Sequence, residues 1–266
     1  MMRFAKAHAC GNDFLIVQGA CDPELAKKLC ERHTGIGADG VEFFEPTGER
    51  MGRIRLANAD GSIAEISGNG TRCVAAWMAH RQTIAPGDMI TLETDAGPRV
   101  CTIVSASGAS FQIAAGMGVP QVAQAQVTLA DKTLVHGVEV SMGNPHFVVV
   151  VHDENFRAHG RGWQELGREI CFHKQFPRQI NVIFVRMIRA DDVEIRIFER
   201  GVGPTSSSGT GTCASAAAVI AYCGGKSPLI VHAPGGSQRV EWAGLGAEMT
   251  LTGPAAFIAE GEAFLG

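Results

Sequence analysis

The pattern Ser-Gly-x-Gly-Thr occurs twice in this chain, as Ser67-Gly68-Asn69-Gly70-Thr71 and as Ser208-Gly209-Thr210-Gly211-Thr212, 141 positions apart. Each copy leads into a run of small residues with helical character: Cys73, Val74, Ala75 and Ala76 in one, Cys213, Ala214, Ser215, Ala216 and Ala217 in the other. The same offset, without gaps, sets Val41, Phe43, Ile54 and Arg55 over Val182, Phe184, Ile195 and Arg196. At a slightly different offset, Gly11-Asn12-Asp13 is echoed by Gly143-Asn144-Pro145. A repeat this long is too large for a solenoid unit. It predicts two homologous domains, residues 1–130 and 131–266, each of ordinary domain size.

Each half reads as strands with one long helix. Pro23 to Arg32 has helical spacing, with Asp22 as N-cap and Pro23 at the first helical position. Gly70 to His80, Trp163 to Cys171 and Gly211 to Tyr222 are further predicted helices, and Val41 to Glu45, Arg53 to Ala57, Gln179 to Arg186 and Val193 to Glu199 predicted strands. This is an α+β pattern: two pseudo-symmetric domains, each a mixed or antiparallel sheet wrapped round a central helix.

Composition narrows the function classes. Net charge is −4, and Arg and Lys are scattered, which argues against a nucleic-acid surface. No apolar run reaches membrane-spanning length and no leader pattern opens the sequence, so no membrane partner is expected. The 8 cysteines show neither CxxC pairing nor zinc-ligand spacing, and the histidines show no HExxH pattern. The expectation is a cytoplasmic protein with reduced thiols and no metal. Cys73, Cys213 and Cys223 sit in apolar surroundings, where cysteine behaves as a small hydrophobe. Gly35-Ile36-Gly37-Ala38 lacks the third glycine and the ribose-binding acid of a dinucleotide fingerprint.

The chemistry concentrates at the paired turns. A Gly-rich turn that opens a helix offers backbone N–H groups and the positive end of a helix dipole to an anion. Two such turns predict a ligand gripped from both sides. A side chain with a labile proton opens each, as a proton removal on one face of a carbon and a return on the other would require. Polar residues beside glycine recur as well: Asn12, Asn58, Asn144, Asn181, Glu199 and Arg200. Arg grips a carboxylate with two parallel hydrogen bonds, and Glu and Asn carbonyls accept from an ammonium. Together they suit a zwitterion. His146 either orients a proton donor or caps a turn, and His8 reads as structural.

These residues fall in an ordered series: His8-x-x-Gly11-Asn12-Asp13-Phe14, Gly35-Ile36-Gly37-Ala38-Asp39-Gly40, Asn58-Ala59-Asp60-Gly61-Ser62, Gly68-Asn69-Gly70-Thr71-Arg72-Cys73, Met142-Gly143-Asn144-Pro145-His146, Asn181-Val182 and Glu199-Arg200-Gly201-Val202-Gly203. The series covers nearly the whole chain and resembles the diaminopimelate epimerases, which are cofactor-independent. The resemblance implies two mirror-related domains with an active-site cleft between them and no cofactor. It allows a homodimer. It places substrate contacts on Asn12, Asn58, Asn144, Asn181, Glu199 and Arg200, and on backbone N–H groups at Gly68, Asn69, Gly209 and Thr210. It implies an amino-acid substrate, diaminopimelate, on the route to lysine and peptidoglycan.

The proton-transfer positions depart from that pattern. The family carries cysteine before each Gly-x-Gly turn, and this chain carries Ser67 and Ser208. A thiol ionises near pH 8.5 and lower at a helix N-terminus, and a serine hydroxyl does not reach that range unaided. Pro204 also replaces the family glutamate after Gly-Val-Gly. Three readings follow: a slow epimerase with Ser67 and Ser208 as the catalytic pair, helped by His146 or Asp60; a non-catalytic amino-acid binder; or a related isomerase or dehydratase of another amino acid. Engineered serines would read alike, but Pro204 and the Ser206-Ser207-Ser208 run favour natural divergence.

Overall fold

In a computed structural model, residues 1–264 are described, and among them run β1 (Met2–Ala9), β2 (Asn12–Gln18), α1 (Pro23–Cys30), β3 (Gly40–Gly48), β4 (Met51–Asn58), β5 (Ile63–Ala64), α2 (Gly68–Gln82), β6 (Met89–Thr94), β7 (Gly97–Ser107), β8 (Ser110–Gly118), β9 (Gln121–Thr128), β10 (Leu134–Ser141), β11 (Pro145–Val151), α3 (Trp163–Cys171), β12 (Asn181–Arg189), β13 (Asp192–Glu199), β14 (Gly203–Thr205), α4 (Gly209–Tyr222), β15 (Leu229–Ala233), β16 (Gly236–Trp242) and β17 (Met249–Ala263). The architecture is mostly sheet with four helices. Contacts divide the chain into two units, Met1–Gly116 with the residues from Thr252 onward, and Met117–Leu251. The sequence alone suggested one boundary at residue 130. The contacts set two, because β17 pairs antiparallel with β1, Met2 opposite Ala263, and so belongs from Thr252 onward to the first unit.

In the first unit, β2 pairs parallel with β3, and β3 antiparallel with β4, Gly40 opposite Asn58. Strand alternation then decides which face each side chain meets. Val41 and Phe43 turn to α1 and pack with Leu15, Val17 and Leu29. Glu42 and Phe44 turn the other way, where Phe44 meets Trp77 of α2 edge-on at 5.1 Å between ring centroids. Helix α1 begins as the sequence predicts: Asp22 accepts from the N–H groups of Glu24 and Leu25, and Pro23 fills the first position, where no N–H is needed. In the second unit the same succession recurs. β11 pairs parallel with β12, and β12 antiparallel with β13. Val182 and Phe184 pack with Leu166 and Ile170 of α3, leaving Ile183 for the face that meets α4.

Helices α2 and α4 are buried on nearly every side. Their glycine, alanine and cysteine residues let strands approach closely, and a helix without a polar face belongs in an interior. Both begin two residues before the sequence reading, at Gly68 and Gly209 instead of Gly70 and Gly211. The glycines belong to the first turn because the serine ahead of them supplies the cap.

Candidate active site

Ser67 is the N-cap of α2, with extended backbone (φ −126°, ψ 119°) and its hydroxyl oxygen accepting from the Gly70 N–H at 3.0 Å. Its carbonyl accepts from the Thr71 N–H at 2.8 Å and from the Thr71 hydroxyl at 2.7 Å. Ser208 caps α4 in the same way (φ −149°, ψ 123°), with the Gly211 N–H at 3.2 Å and the Thr212 N–H reaching the Ser208 carbonyl at 2.9 Å. Serine is among the best N-caps because a short oxygen reaches the third N–H of the helix. The cap uses an oxygen lone pair, so the hydroxyl proton remains available to another acceptor. The first N–H groups of each helix, at Gly68 and Asn69 or at Gly209 and Thr210, carry the dipole's positive end.

Around Ser67 the first unit builds a polar network. The Asn12 amide donates to Asp39 Oδ2 at 2.6 Å, and its Oδ1 accepts from the Asn69 amide at 3.3 Å. Asn69 Oδ1 in turn accepts from Arg72 at 2.7 Å, and a second arm of that fully buried guanidinium donates to the Gly68 carbonyl at 3.0 Å. Asp39 is held by Arg32 at 2.7 Å, and Asp13 by Arg32 and Lys6, each at 3.0 Å. Burial pushes the Asp13 carboxyl up, but the hydrogen bonds and charges of Arg32 and Lys6 outweigh it and hold it below the ordinary value. Beside Asn58, the Ala59 N–H donates to the Asp39 carbonyl at 3.0 Å, while Asn58 itself donates from its N–H to the Ser62 carbonyl at 2.8 Å and from its amide to the Ser62 hydroxyl at 2.9 Å. Asp60 accepts from that same hydroxyl at 2.6 Å, and the Ser62 bonds lower its pKa. Its carboxylate therefore serves the turn that follows β4.

In the second unit the Asn144 amide donates to Thr210 Oγ1 at 3.3 Å, on the first turn of α4. Asn144 Oδ1 accepts from His146 Nε2 at 2.9 Å. With the amide so oriented, the imidazole carries its proton on Nε2. His146 is wholly buried, and burial followed by the charge of Arg200 pushes its pKa down to about 3. The ring is neutral at physiological pH and fixes the Asn144 carboxamide against α4. Its Nδ1 is buried with no hydrogen-bond partner among the described residues. Asn181 lies opposite His146 in the β11–β12 ladder, and its Oδ1 accepts from the Arg200 N–H at 3.0 Å. Glu199 ends β13 opposite Gly203, and exposed Pro204 sits opposite Phe198. The second unit thus gathers Asn144, His146, Asn181, Arg200 and Thr210, and the first gathers Asn12, Asn58, Asn69 and Ser67.

Three features escaped the sequence reading. Arg72, quoted in a motif but given no role, braces the first turn of α2, and Arg32, an arginine without a local pattern, braces the Asp13–Asp39 pair. The third is Glu42, a carboxyl 1% exposed on β3, neither of whose oxygens has a hydrogen-bond partner among the described residues. A lone acid in the run Val41-Glu42-Phe43-Phe44 was the available signal. None of the eight cysteines forms a disulfide, and burial pushes Cys73 upward, and Cys30 and Cys101 to about 12, so these thiols do not replace the missing pair. Among the described residues no group of three or more His, Cys, Asp or Glu is placed to hold a metal. No helix among them is long and apolar enough to cross a membrane.

The backbone matches a probable proline racemase from Agrobacterium radiobacter K84 with a TM-score of 0.77 at 14% identity, covering 100% of this chain and 94% of that one. It also matches a hydroxyproline epimerase from Agrobacterium vitis with a TM-score of 0.73 at 18% identity, over 98% and 90% of the two chains. The fold class is therefore the one these proteins share. Sequence narrows it. The profile of the diaminopimelate epimerase family matches residues 4–123 and again 138–258. The diaminopimelate epimerase of Pseudomonas fluorescens is 36% identical over 281 aligned positions, covering 98% of this chain and 99% of that protein. The chain belongs to the diaminopimelate epimerase family.

Proposed function

We propose that this protein is an amino-acid epimerase of the diaminopimelate epimerase type, slowed by serine at both acid/base positions. The observation that carries this reading is the pair of serine-capped turns, each with an asparagine hydrogen-bonded to it: Asn12 to Asn69 and Asn144 to Thr210. The substrate is an amino acid charged at both ends, diaminopimelate being the first candidate, and no cofactor takes part. The two half-sites serve one ligand, a reading supported by the paired match of the family profile. Backbone N–H groups at Gly68, Asn69, Gly209 and Thr210 bind the α-carboxylate, and Glu199 and Arg200 hold its charged groups. Ser67 and Ser208 address opposite faces of the α-carbon.

The helix N-terminus pulls each hydroxyl in the useful direction, but by too little. A dipole contributes at most about 2 kcal/mol, or roughly 1.5 pK units. That does not bring a serine hydroxyl to the thiol range, and each unit of mismatch costs about tenfold in proton-transfer rate at worst. Incubation with LL-diaminopimelate in D₂O, followed by mass spectrometry of the α-hydrogen, tests the reading. The expected result is slow exchange, raised at least tenfold by Ser67→Cys with Ser208→Cys. Equal rates in both proteins would remove the serines from the chemistry. A binder without turnover is the second reading, favoured by the capping role both hydroxyl oxygens already have. It would show as a ligand-induced rise in Tm with no deuterium uptake.

A further inference from the structure

Glu42 is the one group near the Ser67 turn whose presence the fold does not explain. Its side chain fills the space in front of Gly70: a Cβ at that glycine would lie 2.9 Å from the carboxyl carbon and closer still to Oε1. Gly70 is also the residue whose N–H caps onto the Ser67 hydroxyl at 3.0 Å. The carboxyl and the hydroxyl therefore flank the same residue. The second unit offers an internal control. At the 141-residue offset Glu42 corresponds to Ile183 and Gly70 to Gly211. A Cβ at Gly211 would meet Ser208 Oγ at 3.2 Å and Ile183 Cγ1 at 3.7 Å, so the capping serine and the strand residue converge on one face of that glycine. Packing there is satisfied by isoleucine. Placing an unpartnered carboxyl in the equivalent position destabilises the fold and contributes no hydrogen bond in return.

We propose that Glu42 is the proton-storing residue that acts through Ser67. With Glu42 ionised, the α-carbon–hydrogen bond of the substrate breaks and its proton passes to Ser67 Oγ. In the free protein neither Glu42 oxygen bonds the Ser67 hydroxyl, so on substrate binding that hydroxyl turns to the Glu42 carboxylate and its proton passes there in the same step. The electron pair stays on the α-carbon, delocalised into the substrate carboxylate, and the reverse step restores every group. The cap leaves that hydroxyl proton unspent, which is what such a relay requires. Because Ile183 cannot do the same behind Ser208, hydrogen exchange at the α-carbon outpaces inversion.

Burial pushes the Glu42 pKa up to about 8, near the working range of a general base. Cys73 on α2 and Cys21 ahead of α1 both feel its charge, and Ile16 and Leu56 flank it on β2 and β4. The Arg72 guanidinium on α2 reaches Gly68, Asn69 and the Pro254 carbonyl.

The proposal rests on Ser67 being an acid/base position, and the experiment keeps the two apart. Exchange of diaminopimelate in D₂O is followed from pH 6 to 9 for the natural protein, Glu42→Gln and Glu42→Ile, with a thermal shift on the same ligand. The expected result is exchange that rises through about pH 8 in the natural protein and falls at least tenfold in both variants, while the thermal shift persists in all three. A thermal shift retained throughout with an unchanged rate and pH profile in Glu42→Gln overturns the role of Glu42 alone. A natural protein that binds but does not exchange also overturns it. No thermal shift and no exchange in the natural protein overturn the family reading, and the role of Glu42 with it.

Discussion

A carboxyl in an apolar interior and an imidazole in another give this protein two opposed pH dependences. Glu42 has its folded pKa raised from 4.5 to about 8. Between those values the native state keeps a proton that the unfolded chain releases, so stability falls as pH rises and levels off above the folded value. His146 has its folded pKa lowered from 6.5 to about 3, so the unfolded chain gains a proton first and stability falls as pH drops through that window. From pH 6.5 to 8 only the first of these two slopes operates, at up to about 1.4 kcal/mol per pH unit. Denaturant unfolding across that range is expected to show the natural protein losing stability and Glu42→Gln staying nearly flat. The same slope in both would mean that Glu42 is ionised in the fold at neutral pH. The histidine also shows what sequence could not give. His146 was legible as part of a motif, but its work, fixing Asn144 from within the interior, depends on its burial in the folded unit.

The helix starts are where local sequence and tertiary structure meet. Asp22-Pro23 declared α1 unaided, because its cap and first turn are chemical signals in adjacent residues. The two Ser-Gly turns were legible as turns and as helix openings, but each helix was placed two residues late, at the second glycine of its turn. What crowds the position of Gly70 in α2 is the Glu42 side chain, from a strand 28 positions away in sequence. No local pattern carries that. Gly70→Ala is therefore expected to destabilise by about 1–3 kcal/mol, the range for overpacking, although alanine is the better helix former. In a Glu42→Ala background the same change is expected to be neutral or stabilising. A double-mutant cycle by urea unfolding reads the coupling, and additivity of the two changes would show that the carboxyl does not occupy the glycine's side. Removing a cap is a milder change: Ser208→Ala is expected to cost about 1 kcal/mol.

At the scale of the whole chain, the sheet-rich fold with its buried helices was legible in the sequence. The repeat of strand, hairpin and buried helix follows from hydrophobic alternation and from paired Ser-Gly turns, both visible as spacing. The unit boundaries do not, since β17 returns to β1 by long-range pairing that no linker composition announces. At the 141-residue offset the two halves of the sequence also differ: glutamate against isoleucine at 42 and 183, asparagine against glutamate at 58 and 199. On the proposed function the halves do different things for a single ligand. Titration calorimetry with diaminopimelate is therefore expected to give one ligand per chain. Asn12→Ala, whose amide meets the α2 turn, and Asn144→Ala, whose amide meets the α4 turn, are each expected to weaken binding at least tenfold. Loss of a neutral hydrogen bond that leaves a buried partner unsatisfied, about 1–3 kcal/mol, sets that scale. Two ligands per chain, or a variant in one half that leaves a full-affinity site in the other, would show that the halves bind separately and that neither serine shares a substrate with its counterpart.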